Sequence, residues 1–464
     1  MAHADVPELP CERAGWPGVS AWLLALSVAP PASGAALVAA LFPLRAALVV
    51  QPLSQLQSTG MAAYFDAPGA PLHRRSFLQN GGLASALAAA AGLQDAVARS
   101  NATCAAAPLR LLRAGRPGAA SLTREAATAL LATAFLCLVP EAVEPTLFPE
   151  FCFRKVWSEQ REKLSHAAKL DCYLHYFRSR AAAPPAPGVL RFERRVLDAV
   201  AKAACRNAAH MQLCPLVVEP HASICASHAP LRADFANKLL GGGALAYGCV
   251  QEEILFAQRP ELCVGMLLCE KMRADEAIVM RGAACYSATD GFHDSFRWVG
   301  NVAAADAAAH DYVAFDARRF NSRWGPDPRD QWSEDRVLRE LRKALVAFAL
   351  RGGGPAPVVA TGNWGCGAFG GNVHLKALLQ WAAASLAQCP ELRYHAFGAE
   401  DGLLAPALEA AVQHVMSVWP HHLRTAGGLI AAVNYYAANV PRRKPPLLEW
   451  LRSPDSAAAA ALAA

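Results

Sequence analysis

The sequence predicts an α/β protein, a sheet domain preceded by a helical portion, and three observations carry that prediction. Past Val189, short β-type runs at residues 277–280, 357–361 and 392–397 alternate with helical runs at 333–350 and 372–388, the order expected of a sheet covered by helices. Earlier, Thr123 can cap a helix with Glu125 in its first turn. In it Ala127, Leu130, Leu131, Ala134, Phe135 and Leu138 recur at helical spacing until Pro140. Between these parts residues 181–188 hold three prolines and read as a linker. The predicted organisation is a helical accessory region over 1–188, the α/β domain over 189–450 and a frayed Ala-rich tail over 451–464. Residues 1–119, interrupted by Pro30, Pro31, Pro43 and Pro71, read as short helices and loops.

Composition narrows the function classes. A chain of 464 residues and 49.2 kDa supports a large core, and 54% hydrophobic against 18% charged residues excludes a disordered chain. Much of the apolar content is alanine, so a mean hydropathy of +0.18 is no membrane signal. The greasiest stretch, 34–50, holds Pro43 and Arg45 and falls short of the roughly 20 apolar residues a bilayer span requires. The first fifteen residues carry Asp5, Glu8 and Glu12 without a basic-then-apolar order, so an intracellular chain is expected, neither secreted nor membrane-bound. Fourteen cysteines, several inside runs such as Phe135-Leu136-Cys137-Leu138, read as reduced core thiols. No C-x-x-C or H-E-x-x-H occurs, and no metal site is expected. The net charge of +6 is too mild to decide for or against a polyanionic ligand.

Two glycine-rich segments carry the chemistry. In the first, Asp234 and Asn237 precede Gly241-Gly242-Gly243, then Gly248, then Gln251-Glu252-Glu253 at the start of a helix that Pro260 limits. Successive glycines permit positive φ and let backbone N–H groups face a ligand. Acidic residues in a first helical turn are also ordinary dipole partners. Adjacent carboxylates on a helix point about 100° apart and cannot flank one bond as in ordinary glycosidases. One would instead move the proton while the other holds a substrate hydroxyl. In the second segment, β-type residues 358–361 lead into Gly362-Asn363-Trp364-Gly365-Cys366-Gly367-Ala368-Phe369-Gly370-Gly371 and then a helix, the arrangement of a phosphate site. Gly365, Gly367 and Gly370 also match G-x-G-x-x-G, which raises an NAD-dependent oxidoreductase as a rival. The acidic residues Glu391 and Glu400 lie too far along for a dinucleotide fingerprint, and no Lys-Ser/Thr follows the glycines as in a P-loop.

The G-G-G-x7-Q-E-E stretch, with Asp234-Phe235-Ala236-Asn237 before it, resembles the signature of poly(ADP-ribose) glycohydrolases. Residues 360–371 are similar to that family's diphosphate loop. Weaker similarity runs through 121–137, 282–298 and Leu9-Pro10-Cys11. The resemblance implies a macrodomain-like three-layer α/β/α sandwich with a mixed sheet and an N-terminal helical region. It implies exo-type hydrolysis of ribose-ribose O-glycosidic bonds, releasing ADP-ribose, and no cofactor. The implied substrate is poly(ADP-ribose) on ADP-ribosylated proteins, cleared in the DNA damage response in nucleus or cytoplasm by a monomer with no nucleic-acid recognition.

By the same resemblance Glu253 is the general acid, then base, while Glu252 fixes the ribose hydroxyls and Asn237 and Asp234 orient that pair. Gly241, Gly242, Gly243 and Gln251 line the substrate; Asn363, Gly365, Cys366, Gly367, Ala368 and Phe369 hold the diphosphate; Phe397 stacks on adenine. Two departures stand out. Phe292 replaces a tyrosine, losing a hydroxyl contact to the ligand. Near Ile224, counted among the substrate-binding positions, the family carries an acidic contact to adenine that Cys225 does not replace. A non-catalytic reader of ADP-ribose is therefore the second expectation, ahead of the oxidoreductase. His421 and His422 are expected at the surface.

Overall fold

In the computed structural model, Thr123 caps the Arg124–Phe135 helix through a bond from the Ala126 N–H to its hydroxyl, and Asn372 does the same for Val373–Leu386 through the Leu375 N–H. These caps supply acceptors that a first helical turn otherwise lacks. The structure describes residues 7–141, 144–159, 164–182, 188–199, 202, 210–302, 307–320, 327–349, 356–396, 403–440 and 443–461. Most of the linker read at 181–188 lies outside them, as does Phe397.

The named strands are β1 (Gly118–Thr123), β2 (Val189–Val196), β3 (Leu216–Glu219), β4 (Leu231–Asp234), β5 (Glu276–Ala283), β6 (Ser287–Asp290), β7 (Arg297–Asn301), β8 (His310–Ala314), β9 (Val359–Gly362) and β10 (Leu392–His395). Eight of them form a mixed sheet, and β6 and β7 form a separate hairpin. The backbone divides into two compact units, one of residues 1–194, 239–271 and 280–310, the other of 195–238, 272–279 and 311–464.

In the first unit β1 and β2 pair antiparallel, Gly118 opposite Arg194 and Thr123 opposite Val189. Six helices lie between Trp16 and Thr103. Their packing is aromatic: the Phe135 ring meets Phe77, Phe153, Trp157 and Phe177 edge-on, with centroids 5.2–6.0 Å apart. Gly82 is required where a Cβ would sit 2.5 Å from the Phe77 ring. The Leu164–Ala182 helix is buried over most of its length. Its Ala168 and Cys172 pack with Cys249, Ile254, Ala257 and Phe296, joining it to the helix that carries the glutamate pair.

In the second unit the strands run β8, β4, β9, β10, β3, all parallel. Parallel strands buried on both faces read as continuous apolar runs. Here Leu231, Ala233, Val313, Phe315, Val359, Leu392 and Tyr394 form one core with Val337, Leu341 and Leu345 of Glu334–Phe348 and with Leu375, Leu378 and Leu379. Pro454–Ala460, within the segment read as a frayed tail, is helical, and its Ser456 hydroxyl donates to the Leu451 carbonyl at 2.6 Å. The described cysteines are free thiols, most of them buried. Among the described residues no helix is long and apolar enough to cross a membrane.

Candidate active site

Gly241 and Gly242 take φ of +85° and +51°, a bend that only glycine makes without strain. This bend turns backbone N–H groups onto the carboxylates that follow it. Gly241 N donates to Glu252 Oε1 at 2.6 Å, and Gly243 N donates to Glu253 Oε1 at 2.9 Å. Glu253 Oε2 accepts from Val250 N at 3.0 Å, because Glu253 is the third residue of the Gln251–Gln258 helix and reaches back to the cap position. Glu252 and Glu253 are 2% and 7% exposed. Each Glu253 oxygen thus spends one lone pair on a backbone donor and keeps another. Burial pushes the nearby Cys249 thiol up to about 11, so it stays protonated at neutral pH and is no competing nucleophile.

Gly248 fits this clasp by lacking a side chain. A Cβ there would lie 2.4 Å from Glu253 Oε1 and 2.5 Å from its Cδ. Beneath the turn sits Lys169, fully buried. Its ammonium donates to the carbonyls of Gly243 at 3.2 Å and Gly248 at 2.7 Å, and also to those of Ala244 and Ala246. Sequence reasoning missed this lysine, which lies 72 positions before Gly241. The available signal was a lone ammonium in an apolar helix, His166-Ala-Ala-Lys169-Leu, since charges in such a setting are buried only with partners.

The structure brings Glu252, Glu253, Gly241, Gly242 and Gly243 together with Gln251, which opens their helix. Phe292, 47% exposed, lies in the turn of the β6–β7 hairpin. Asp234 and Asn237 belong to the second unit: Asp234 ends β4 and is fully buried, and Asn237 is half-buried just beyond it. Ile224 is buried in a 3-10 turn over Ile224–Ala226, with Cys225 exposed.

The second glycine segment follows β9. Gly365 and Gly370 have φ of +72° and +70°, and the loop closes on itself through Cys366 N to Asn363 O at 3.0 Å, Gly370 N to Gly367 O at 2.9 Å and Gly371 N to Gly365 O at 2.9 Å. Trp364 is its buried anchor, with Nε1 donating to Phe315 O at 2.9 Å and the Lys376 ammonium 3.9 Å from its ring centroid. The Tyr394 hydroxyl donates to Asn363 Oδ1 at 3.0 Å. Phe369 is held by Phe320 N on its carbonyl at 2.6 Å and by the Arg319 guanidinium 4.9 Å from its ring. Gly367 and Ala368 are exposed at the tip. Among the described residues the N–H groups of Gly367 and Phe369 have no hydrogen-bond partner, which leaves two backbone donors in the loop unused. Burial pushes the Cys366 thiol up, which removes it as a nucleophile. The exposure of His421 and His422 is as expected.

Comparison with known proteins identifies the family. Residues 204–402 match the model of poly(ADP-ribose) glycohydrolase, macro domain fold, and residues 88–194 match that of its helical domain. The chain belongs to the poly(ADP-ribose) glycohydrolase family. Its fold is the macrodomain class with a mixed sheet and an N-terminal helical domain. Among relatives, it is 31% identical over 372 residues to poly(ADP-ribose) glycohydrolase 1 of Arabidopsis thaliana, covering 63% of this chain and 66% of that protein. It is also 31% identical over 352 residues to the probable poly(ADP-ribose) glycohydrolase 2 of that plant, covering 62% of this chain and 65% of the relative. Against poly(ADP-ribose) glycohydrolase 1 of Caenorhabditis elegans the identity is 34% over 216 residues, 44% of this chain and 27% of the other. The chain therefore spans just under two thirds of the plant relatives' length and about a quarter of the nematode protein's.

Proposed function

We propose that the chain is an exo-acting poly(ADP-ribose) glycohydrolase in which Glu253 protonates the departing ribose oxygen and then takes a proton from the attacking water. The observation that carries this reading is the clasp itself: two buried neighbouring carboxylates, each fixed by an N–H of the triple-glycine turn. Fixing both carboxylates before substrate arrives lowers the cost of assembling an oxocarbenium-like transition state beside them. Glu252 holds the ribose hydroxyls, Asp234 and Asn237 orient the pair, and Gln251, Gly241, Gly242 and Gly243 line the sugar. The loop from Asn363 to Phe369, through Gly365, Cys366, Gly367 and Ala368, takes the diphosphate on its N–H groups. Phe397, Ile224 and Phe292 pack on base and ribose. The same reading places the protein inside the cell as a monomer acting on polymer attached to proteins after DNA damage. It takes 1–188 as the accessory part and 189–450 as the catalytic part.

The test is release of ADP-ribose from labelled polymer by the wild type beside Glu253→Gln. A general acid contributes about 10²–10⁴-fold, so the variant should lose at least about a hundredfold in kcat while ADP-ribose binding, followed by calorimetry, persists. Equal turnover by the two proteins rejects the assignment. One observation favours a second reading: both Glu253 oxygens already serve backbone donors, as in a purely structural cap. Binding of ADP-ribose with no hydrolysis by the wild type would select that reader.

A further inference from the structure

The helical part of the first unit contains a cavity of about 500 Å³ that none of the residues assigned above lines. Its walls are apolar, made of alanines 63, 67, 70, 167 and 168 with Phe296. Its polar groups are unbalanced. The one carboxylate, Asp171, accepts from the Tyr64 hydroxyl at 2.6 Å, His73 Nε2 at 2.7 Å, and Arg74 Nε and Nη2 at 2.7 and 2.8 Å. Three of these contacts fall on Oδ1 and one on Oδ2, so Oδ1 is saturated and Oδ2 keeps one acceptor site. Apart from that site, the polar side chains of the lining offer donors. Arg74 Nη1 makes no hydrogen bond among the described residues, and its guanidinium is fixed 4.4 Å from the Tyr64 ring centroid. The Trp298 indole N–H also lacks a partner there but is fully enclosed, so it does not open onto the cavity. Arg297, 69% exposed at the side chain, gives Nη2 to Asp290 and stands at the surface beside Trp298.

We infer that this cavity binds a flat aromatic anion of nucleoside monophosphate size. Three physical arguments converge on that class. The volume falls in the ordinary range for small-molecule sites, about 300–1,000 Å³, and a lone inorganic anion would leave most of it unfilled against apolar walls. A purely apolar guest would leave Arg74 Nη1 facing it without an acceptor. The aromatic wall suits a planar ring: Phe296 and Trp298 both line it, and ring contact adds to area burial. The ring of the guest lies against Trp298 and Phe296, and its anionic group meets Arg74 and Arg297. None of its lining residues belongs to the glutamate clasp, though Ala168 and Phe296 pack against Cys249 and Ile254 beside it, and the inference goes beyond the proposed hydrolysis.

The probe is 2-azidoadenosine 5′-monophosphate, photolysed on the full chain and mapped by peptide sequencing. Label is expected on peptides holding residues 63–74 and 296–298. Ala67 is exposed at the wall, so Ala67→Phe fills the cavity without disturbing the core and should cut that labelling at least tenfold. Adenosine and inorganic phosphate should each protect at least tenfold less well than adenosine 5′-monophosphate. Label confined to other segments such as 363–369, no label, full labelling of Ala67→Phe, or protection by adenosine equal to that by the monophosphate would each overturn the inference. Trp298→Ala, on the hairpin strand, is a second variant expected to lose the same label.

Discussion

The two glycine segments are built from the same residue type and serve opposite ends. In the turn from Gly241 to Gly248 the backbone is satisfied from within: its N–H groups meet Glu252 and Glu253, and its carbonyls converge on the buried Lys169 ammonium. In the loop from Gly362 to Gly371 a few internal bonds set the shape, while Gly367 and Phe369 leave their N–H groups without a partner among the described residues. The first segment therefore positions side chains of the chain itself, while the second keeps backbone donors that its own fold does not use. Glycine content alone does not separate a scaffold from a ligand cradle; what the N–H groups and carbonyls already bind does.

The largest effect should come from emptying the scaffold of its cation. Lys169→Met leaves the carbonyls of Gly243, Ala244, Ala246 and Gly248 without that donor. The expected loss is about 3 kcal/mol of stability, from the cost of unpaired buried polar groups, read as a lower urea midpoint. A midpoint equal to wild type would show that the turn holds its shape without the ammonium. Next is Gly248→Ala, whose methyl would overlap the Glu253 carboxyl at 2.4–2.5 Å. A displacement near 1 Å of a reacting group costs on the order of a hundredfold, so kcat on polymer should fall by about that factor with KM little changed. Retained kcat would separate Glu253 from the chemistry.

How much of this was readable beforehand follows the range of the interaction. The caps at Thr123 and Asn372, the strands at β5, β9 and β10 and both glycine turns rest on contacts within a few residues, and the sequence carries them in its local pattern. The Glu253 bond to Val250 N is likewise local, three residues apart. Lys169 beneath the turn and Lys376 beneath Trp364 are of another kind. Lys376 was read only as part of a helical run, yet it is 1% exposed and ion-paired with the buried Glu340. No periodicity tells which lysine of an amphipathic helix turns inward, because that depends on a partner distant in sequence. Asp171 is the same case, its donors lying about 100 positions earlier.

Asp171 also contrasts with the glutamates, since its partners are side chains, one of them permanently charged. Burial alone would raise its carboxyl, but hydrogen bonds from His73, Arg74 and Tyr64 outweigh that and hold it below the ordinary value. A carboxyl depressed in the folded state adds stability above its unfolded pKa of about 4 and loses it as the pH falls through the lower folded value. Urea midpoints measured from pH 5 down to pH 2 should therefore fall, and Asp171→Asn should flatten that descent relative to wild type. An identical slope in the two proteins would assign acid sensitivity to other carboxylates.

The smallest expected effect is the most discriminating for the loop. Gly367 has ordinary φ and open space where a Cβ would stand, with no heavy atom within 4 Å. If its role is to offer an N–H, Gly367→Ala keeps that donor and should change stability by no more than about 0.5 kcal/mol and ADP-ribose affinity by no more than about threefold, under 1 kcal/mol. Gly365→Ala is the matched opposite, since φ is +72° and the methyl would meet the Ala317 Cβ at 2.4 Å. It should distort the loop and weaken binding well beyond the Gly367 change. Calorimetric titration of both variants with ADP-ribose decides it. A large loss at Gly367 would mean that the ligand itself presses against that Cα, turning the loop from a set of donors into a steric wall.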